Sequence, residues 1–286
     1  MTESHDETRG TAPGTAEATT GTTTEGTKEA TAETQPPLVR YEVDRAVATL
    51  TLDSPRNRNA LSTRLVSELA QGLAQATEDD AVRAIVLTHT GTVFCSGADL
   101  SEASSGDPTD APRKLVALMQ ALAAAPKPIV AKVDGHVRAG GLGLLGACDL
   151  VVVGPAVTFA FTEVRLGLAP AVISLSLLPR LNPRAAARWY LTGDTFDGTE
   201  AARIGLITEA VESTAEAVEP LLDSLRKASP QGLAETKRLV AAGVLRSIER
   251  DGAELIAQSA RLFGSDEARE GMRAFLERRP PWWSQP

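Results

Sequence analysis

Aromatic residues are scarce in this chain: 3 Trp, 2 Tyr and 6 Phe make up 4% of its 286 residues. A core built from it must rely on aliphatic side chains and alanine. Cysteine is scarcer still. Cys95 and Cys148 supply no disulfide framework and too few ligands for a zinc site, so both read as small buried residues of a reducing compartment. Three histidines (His5, His89 and His136) share no helical spacing and predict no metal. No run approaches the 18 apolar residues of a membrane span. The N-terminus lacks an apolar stretch and is acidic, which argues against a secretory signal or a transit peptide and points to the cytoplasm.

The first 37 residues lack more. From Thr2 to Pro37 there is no Leu, Ile, Val, Phe, Trp or Tyr, but there are 12 Thr, and 7 acidic residues against 2 basic. Such a segment cannot offset its ordering entropy by burial, so residues 1–37 read as a disordered acidic tail. Most of the net charge of −8 belongs to it, since residues 38–286 carry 30 acidic against 27 basic groups. That balance leaves no basic footprint for nucleic acid and no charge run for a membrane surface.

What is present alternates between two periods. Residues 39–52 read as two strands turning at Asp44-Arg45. Ser62 then caps a helix whose Leu65, Leu69 and Leu73 share one face. Residues 81–88 form a buried strand, and 101–109 a polar mobile loop. A helix over 113–124 stops before Pro126 and Pro128, and 129–133 and 150–153 are strands on either side of a small-residue helix. Beyond Pro183 the pattern predicts helices over 184–191, 199–204, 214–228, 230–242 and 248–279. Strand–helix alternation followed by helices suggests an α/β class with a largely parallel arrangement.

Gly141 to Gly146 fits G-x-G-x-x-G, with Glu163 20 residues beyond Gly143. The context of a dinucleotide site is missing. DGHVRAG separates the glycines from the preceding strand, and only about two helical turns fit before Asp149. Two readings remain for these glycines. One is tight packing alone. The other is an oxyanion hole, in which a helix N-terminus and a second small-residue turn at Ser96-Gly97-Ala98-Asp99 aim backbone N–H groups at a thioester oxygen.

The blocks SPRNRNAL (54–61), GTVFCSGADL (91–100), PKPIVAKVDGHVRAGGLGLLGACDLVV (126–152), FAFTEVRLGLAP (159–170), LTGDTFDGTEAARIGLI (191–207) and EGMRAFLERRPPW (270–282) stand in order. With them the chain resembles the enoyl-CoA hydratase/isomerase (crotonase) superfamily over residues 38–286. The resemblance implies a spiral of β-β-α units over 38–210, then a helical trimerisation region over 211–286, assembled as a homotrimer or a dimer of trimers. It implies an acyl-CoA thioester as substrate and no cofactor beyond the CoA that the substrate carries.

By position, the same resemblance makes the N–H groups of Ala98 and Gly140 the oxyanion hole and Glu163 the acid–base. A second glutamate, usual in hydratases, is replaced by Gly143. One carboxylate must then transfer the proton alone in a hydratase, or shuttle it between Cα and Cγ in a Δ3,Δ2-enoyl-CoA isomerase. A catalytically weak acyl-CoA-binding paralogue is the third reading. The finer pattern is similar to hydratases of 3-methylglutaconyl-CoA and isohexenylglutaconyl-CoA, which favours hydration. Arg138 and Arg165 become candidates to clamp a substrate carboxylate. Arg56, Arg58, Ala60, Ser96, Asp99, Leu100, Gly141, Gly143, Phe263 and Phe275 fall where relatives contact substrate or CoA.

Overall fold

The structure, a computed structural model, describes residues 36–99, 101–102 and 107–284. The acidic tail up to residue 35, Leu100 and residues 103–106 of the expected loop lie outside the described residues. Residues 37–286 group as one compact unit.

The chain opens with strands β1 (Val39–Asp44) and β2 (Val47–Leu52), helix α1 (Thr63–Glu78), and strands β3 (Ala84–His89) and β4 (Val93–Cys95). Helix α2 (Asp110–Ala124), strands β5 (Ile129–Val133) and β6 (His136–Arg138), and helix α3 (Gly140–Ala147) follow. Next come β7 (Leu150–Val153), β8 (Thr158–Ala160), α4 (Ser174–Leu177), α5 (Pro183–Thr192), β9 (Phe196–Asp197), α6 (Gly198–Arg203) and β10 (Glu209–Ala210). Helices α7 (Thr214–Lys227), α8 (Pro230–Phe263) and α9 (Asp266–Leu276) complete it.

Two sheets result. The larger has the order β1-β2-β3-β5-β7-β10 and is parallel from β2 onward. The smaller has the order β4-β6-β8-β9 and is parallel except for β9. Three successive passes, β3-β4-α2, β5-β6-α3 and β7-β8 with its helical turn, each give one strand to each sheet. That is the repeated β-β-α spiral.

The larger sheet is covered on both faces, which is why AIVL in β3 reads as a continuous apolar run. Ile85 and Leu87 face the main core, while Ala84 and Val86 face Val218 and Leu222 of α7. Ser62 caps α1 as expected, its Oγ accepting the Leu65 N–H at 3.2 Å.

The first hairpin turns at Arg45-Ala46, one residue later than expected, with φ of 43° and 62°. A two-residue hairpin loop needs this left-handed pair to match the strand twist. A larger difference lies at the C-terminus. The helices expected over 230–242 and 248–279 are instead one 34-residue helix, α8, then a break and α9. Gly243 costs a helix interior only about 1 kcal/mol. The buried stripe Lys237, Ala241, Val244, Ile248 and Gly252 carries the helix through it. Lys237 anchors this stripe, pairing with Asp149 at 2.8 Å and donating to the Leu122 and Lys127 carbonyls.

Candidate active site

The smaller sheet positions the site. Strands β4, β6 and β8 lie side by side and parallel, with Cys95 opposite Val137 and Arg138 opposite Ala160. Their C-terminal ends therefore emerge together, roughly 4.8 Å apart. The first leads into Gly97-Ala98, the second into Ala139-Gly140 and the third into Phe161-Thr162-Glu163. Residues far apart in sequence are thus delivered to one edge, where open parallel sheets commonly hold ligands.

The first two ends meet closely. A Cβ on Gly97 (φ 98°) would lie 2.8 Å from the Ala139 Cβ and 3.5 Å from the Gly140 N. A Cβ on Gly140 would lie 3.7 Å from the Gly97 Cα, and one on Gly141 would strike the Cys95 Cβ at 2.8 Å. Glycine is needed here because an added Cβ would strike the Cβ atoms of Ala139 and Cys95 at 2.8 Å, and at Gly97 also because φ is positive. Ala139 has φ 45° and ψ −118°, a strained conformation for a residue with a Cβ, and it turns the chain into α3. Gly140 opens that helix, so its N–H has no intrahelical acceptor, and no acceptor among the described residues meets the Ala98 N–H either. Two donors stand free on adjacent turns, one at the positive end of a helix.

Glu163 lies on a single 3-10 turn over Thr162–Leu166, closed by Gly167 at φ 72°. Its Oε2 is buried without a hydrogen-bond partner. Burial pushes the carboxyl up to about 7, partly opposed by its own backbone N–H. The turn is backed by α9. A Cβ on Gly271 would lie 2.5 Å from the Leu166 carbonyl carbon, and one on Gly167 would lie 2.6 Å from that of Glu267.

Gly143 is fully enclosed. A Cβ there would sit 2.7 Å from the Ile173 Cγ2 and 2.9 Å from the Met119 Sδ, and Ser176 Oγ donates to the Gly143 carbonyl at 2.8 Å. The position at which the sequence resemblance expects a second glutamate is packed by apolar side chains.

Loop 54–60 borders the Ser96-Gly97-Ala98-Asp99 turn. Ser96 N–H donates to the Arg58 carbonyl at 3.1 Å, and Asn57 Nδ2 donates to Asp99 at 2.8 Å. Arg56 and Arg58 are exposed there, and Ala60 is buried. Sequence reasoning passed over Asn59, which is fully buried. It accepts from Ser54 N–H and donates to the Thr90 and Val93 carbonyls, fixing the loop. Its one sequence signal is an asparagine among arginines in a turn.

The other expected residues are placed elsewhere. Arg138 spends its guanidinium on the Val137 carbonyl and on both the carbonyl and hydroxyl of Thr158, tying β6 to β8. Arg165 is exposed and engages Asp194 and the Thr192 carbonyl. Arg138 is thus engaged within the sheet, whereas Arg165 pairs at the surface with an exposed Asp194. Phe263 is half-buried at the end of α8, and Phe275 is exposed on α9. Among the described residues no group of three or more His, Cys, Asp or Glu is placed to hold a metal ion, and no helix is long and apolar enough to cross a membrane.

A model of the enoyl-CoA hydratase/isomerase family matches residues 42–286. The chain belongs to that family. Its fold matches the crystal structure of an enoyl-CoA hydratase from Mycobacterium avium with a TM-score of 0.82 at 53% identity, over 87% of this chain and all of that one. A mevalonyl-coenzyme A hydratase of Aspergillus fumigatus is 32% identical over 83% of this chain and 91% of its own. The mitochondrial enoyl-CoA hydratase domain-containing protein 3 of Danio rerio is also 32% identical, over 85% and 86%. This member of the enoyl-CoA hydratase/isomerase family is an enzyme of hydratase type with the crotonase fold and a C-terminal helical region.

Proposed function

We propose that the enzyme adds water across the 2,3 double bond of an enoyl-CoA thioester, with Glu163 as its sole carboxylate acid–base and the N–H groups of Ala98 and Gly140 as its oxyanion hole. The observation that carries this reading is the Glu163 carboxyl, its Oε2 buried without a partner and its pKa raised to about 7, on the turn after β8, while the neighbouring strands β4 and β6 lead into two free N–H donors. A group with a pKa near the working pH both accepts and returns a proton readily. The carboxylate takes a proton from water as the oxygen attacks Cβ. The π pair moves through Cα onto the thioester oxygen, where the two N–H groups stabilise it. Glu163 then returns the proton to Cα.

The packed surroundings of Gly143 favour a second reading, since a single carboxylate also suffices to move a proton between Cα and Cγ. Branched 3-methylglutaconyl-like substrates, suggested by the motif pattern, belong to the first reading; Arg138 ties β6 to β8, and Arg165 is the more accessible arginine for their carboxylate. For assembly we propose a homotrimer or hexamer; exposed Leu178, Leu239 and Val240 are apolar surface for such contacts.

The test is Glu163→Gln assayed on crotonyl-CoA, 3-methylglutaconyl-CoA and a 3-enoyl-CoA, with product mass recorded. Turnover should fall by about a hundred- to ten-thousandfold, as expected for loss of a general acid–base. A wild-type product heavier by one water supports hydration, and conjugation without mass change supports isomerisation. Near-normal turnover in the variant rejects the assignment.

A further inference from the structure

Two donors stabilise one developing oxyanion only if their spacing is held before the charge forms. The Ala98 and Gly140 N–H groups belong to different segments. Strands β4 and β6 pair as far as Cys95 and Val137, short of both turns. Leu61, which follows loop 54–60, spans the gap. Its N–H donates to the Gly97 carbonyl at 2.8 Å, and it forms a parallel bridge with Ala98. Its side chain reaches the other turn. A Cβ on Gly140 would strike the Leu61 Cδ1 at 2.7 Å, whereas the next atoms, Leu115 Cδ2 and Gly97 Cα, stand at 3.6 and 3.7 Å, ordinary contacts. One residue therefore holds the first donor turn by its backbone and abuts the second by a methyl group. Leu61 is also backed on both sides in sequence. Asn59 ties the loop to Ser54 N–H and to the Thr90 and Val93 carbonyls, and Ser62 caps α1. Leu61 is buried in the main core. A close-packed side chain with fixed neighbours transmits a displacement instead of absorbing it.

Resting on the reading of these two N–H groups as the oxyanion hole, we propose that Leu61 is a positioning residue of that hole, the spacer that sets how far the Gly140 N–H stands from the Ala98 N–H. It moves no proton and acts through the two turns alone. Leucine at 61 and glycine at 140 are then a matched pair: the methyl group of one occupies the space that a side chain on the other would need. Truncating Leu61 lets the Gly140 turn settle toward the vacated space, and a methyl on Gly140 pushes the two apart. Either change alters the spacing, and making both together restores contact.

Size exchange tests the pair. Leu61→Ala should lower kcat for crotonyl-CoA about ten- to a hundredfold with KM within about threefold, as expected when a catalytic donor is displaced by up to about 1 Å. Leu61→Met, close in volume, should keep kcat within about threefold of wild type. Gly140→Ala should lose about as much as Leu61→Ala, and combining the two should recover about tenfold over Gly140→Ala, a coupling expected only of residues in contact. The hole itself is read from the infrared carbonyl band of butyryl-CoA, a thioester with no double bond to hydrate. Binding to the wild type should lower the band's frequency, because N–H donors polarise the carbonyl. In ligand-saturated, folded Leu61→Ala that fall should be about halved or less, whereas a loss of stability alone leaves it unchanged. Leu61→Val, a smaller truncation, gives the same reading if the alanine variant does not fold. A full wild-type fall in the truncated variant overturns the proposal, as does a double variant no better than Gly140→Ala. A band that does not move in the wild type rejects the oxyanion reading itself.

Discussion

Glu163 links chemistry to stability. Its carboxyl is raised to about 7, above the ordinary carboxylate value, so between pH 4.5 and 7 the folded state binds more protons than the unfolded one. Stability must then fall as pH rises through that window. Glu163→Gln should melt higher than wild type at pH 8 and no differently near pH 4, measured by thermal unfolding at both values. In the proposed mechanism the same titration sets the rate, because the carboxylate form accepts the water proton. A plot of kcat/KM against pH should therefore fall on its acid side with a midpoint near 7. Ala139 stores strain of a different kind. At φ 45° it holds a conformation that glycine adopts freely. Ala139→Gly should gain about 1 kcal/mol of stability in denaturant titration, since strain at such positions is worth about 1–3 kcal/mol and glycine's added chain entropy offsets part of the relief.

At the scale of elements, the site depends on three strands of three residues each and on a helix pressed against a turn. Helix α9 meets the Glu163 turn backbone to backbone at Gly271 and Gly167, and no flexible side chain lies between to yield. Gly271→Ala should lift the helix, lower kcat and cost about 1–3 kcal/mol, the usual range for overpacking. Limited proteolysis near residues 264–266, read beside the activity, would show the helix released. Helix α8 is anchored by an ion pair, Lys237 being 4% and Asp149 11% exposed at the side chain. Lys237→Met would leave Asp149 buried without its partner, a loss of about 3–5 kcal/mol measurable by chemical denaturation.

For the whole molecule, the compact unit begins at Pro37, and residues 1–36 carry almost none of the apolar side chains that build a core. Their removal should leave kcat, Tm and oligomeric state unchanged, as checked by assay, calorimetry and light scattering on the shortened chain. Five of the six strands of the larger sheet were legible in sequence, β3 and β7 because AIVL and LVVV are apolar throughout, as a doubly covered sheet requires, whereas the two-residue β10 was not. The strands of the smaller sheet were not. VFC, HVR and TFA are too short to show a period, and the first two read as a Gly-rich turn and a connecting stretch. Helix α8 was divided at Gly243 because local propensity cannot register the packing that carries a helix past a glycine.

By itself the sequence determined the apolar periods, the glycines at which backbones touch, and the ordered motifs that carry the family resemblance, since each is written in neighbouring residues. The tertiary structure decided what those residues face. It placed Ala98, Gly140 and Glu163 at the ends of adjacent strands, filled the space at Gly143 with Ile173 and Met119, tied Arg138 into the smaller sheet, paired Arg165 with Asp194, and set Leu61 between the two donor turns. Each of these is a contact between segments tens of residues apart, set by how the two sheets pair and pack, and no local pattern contains it.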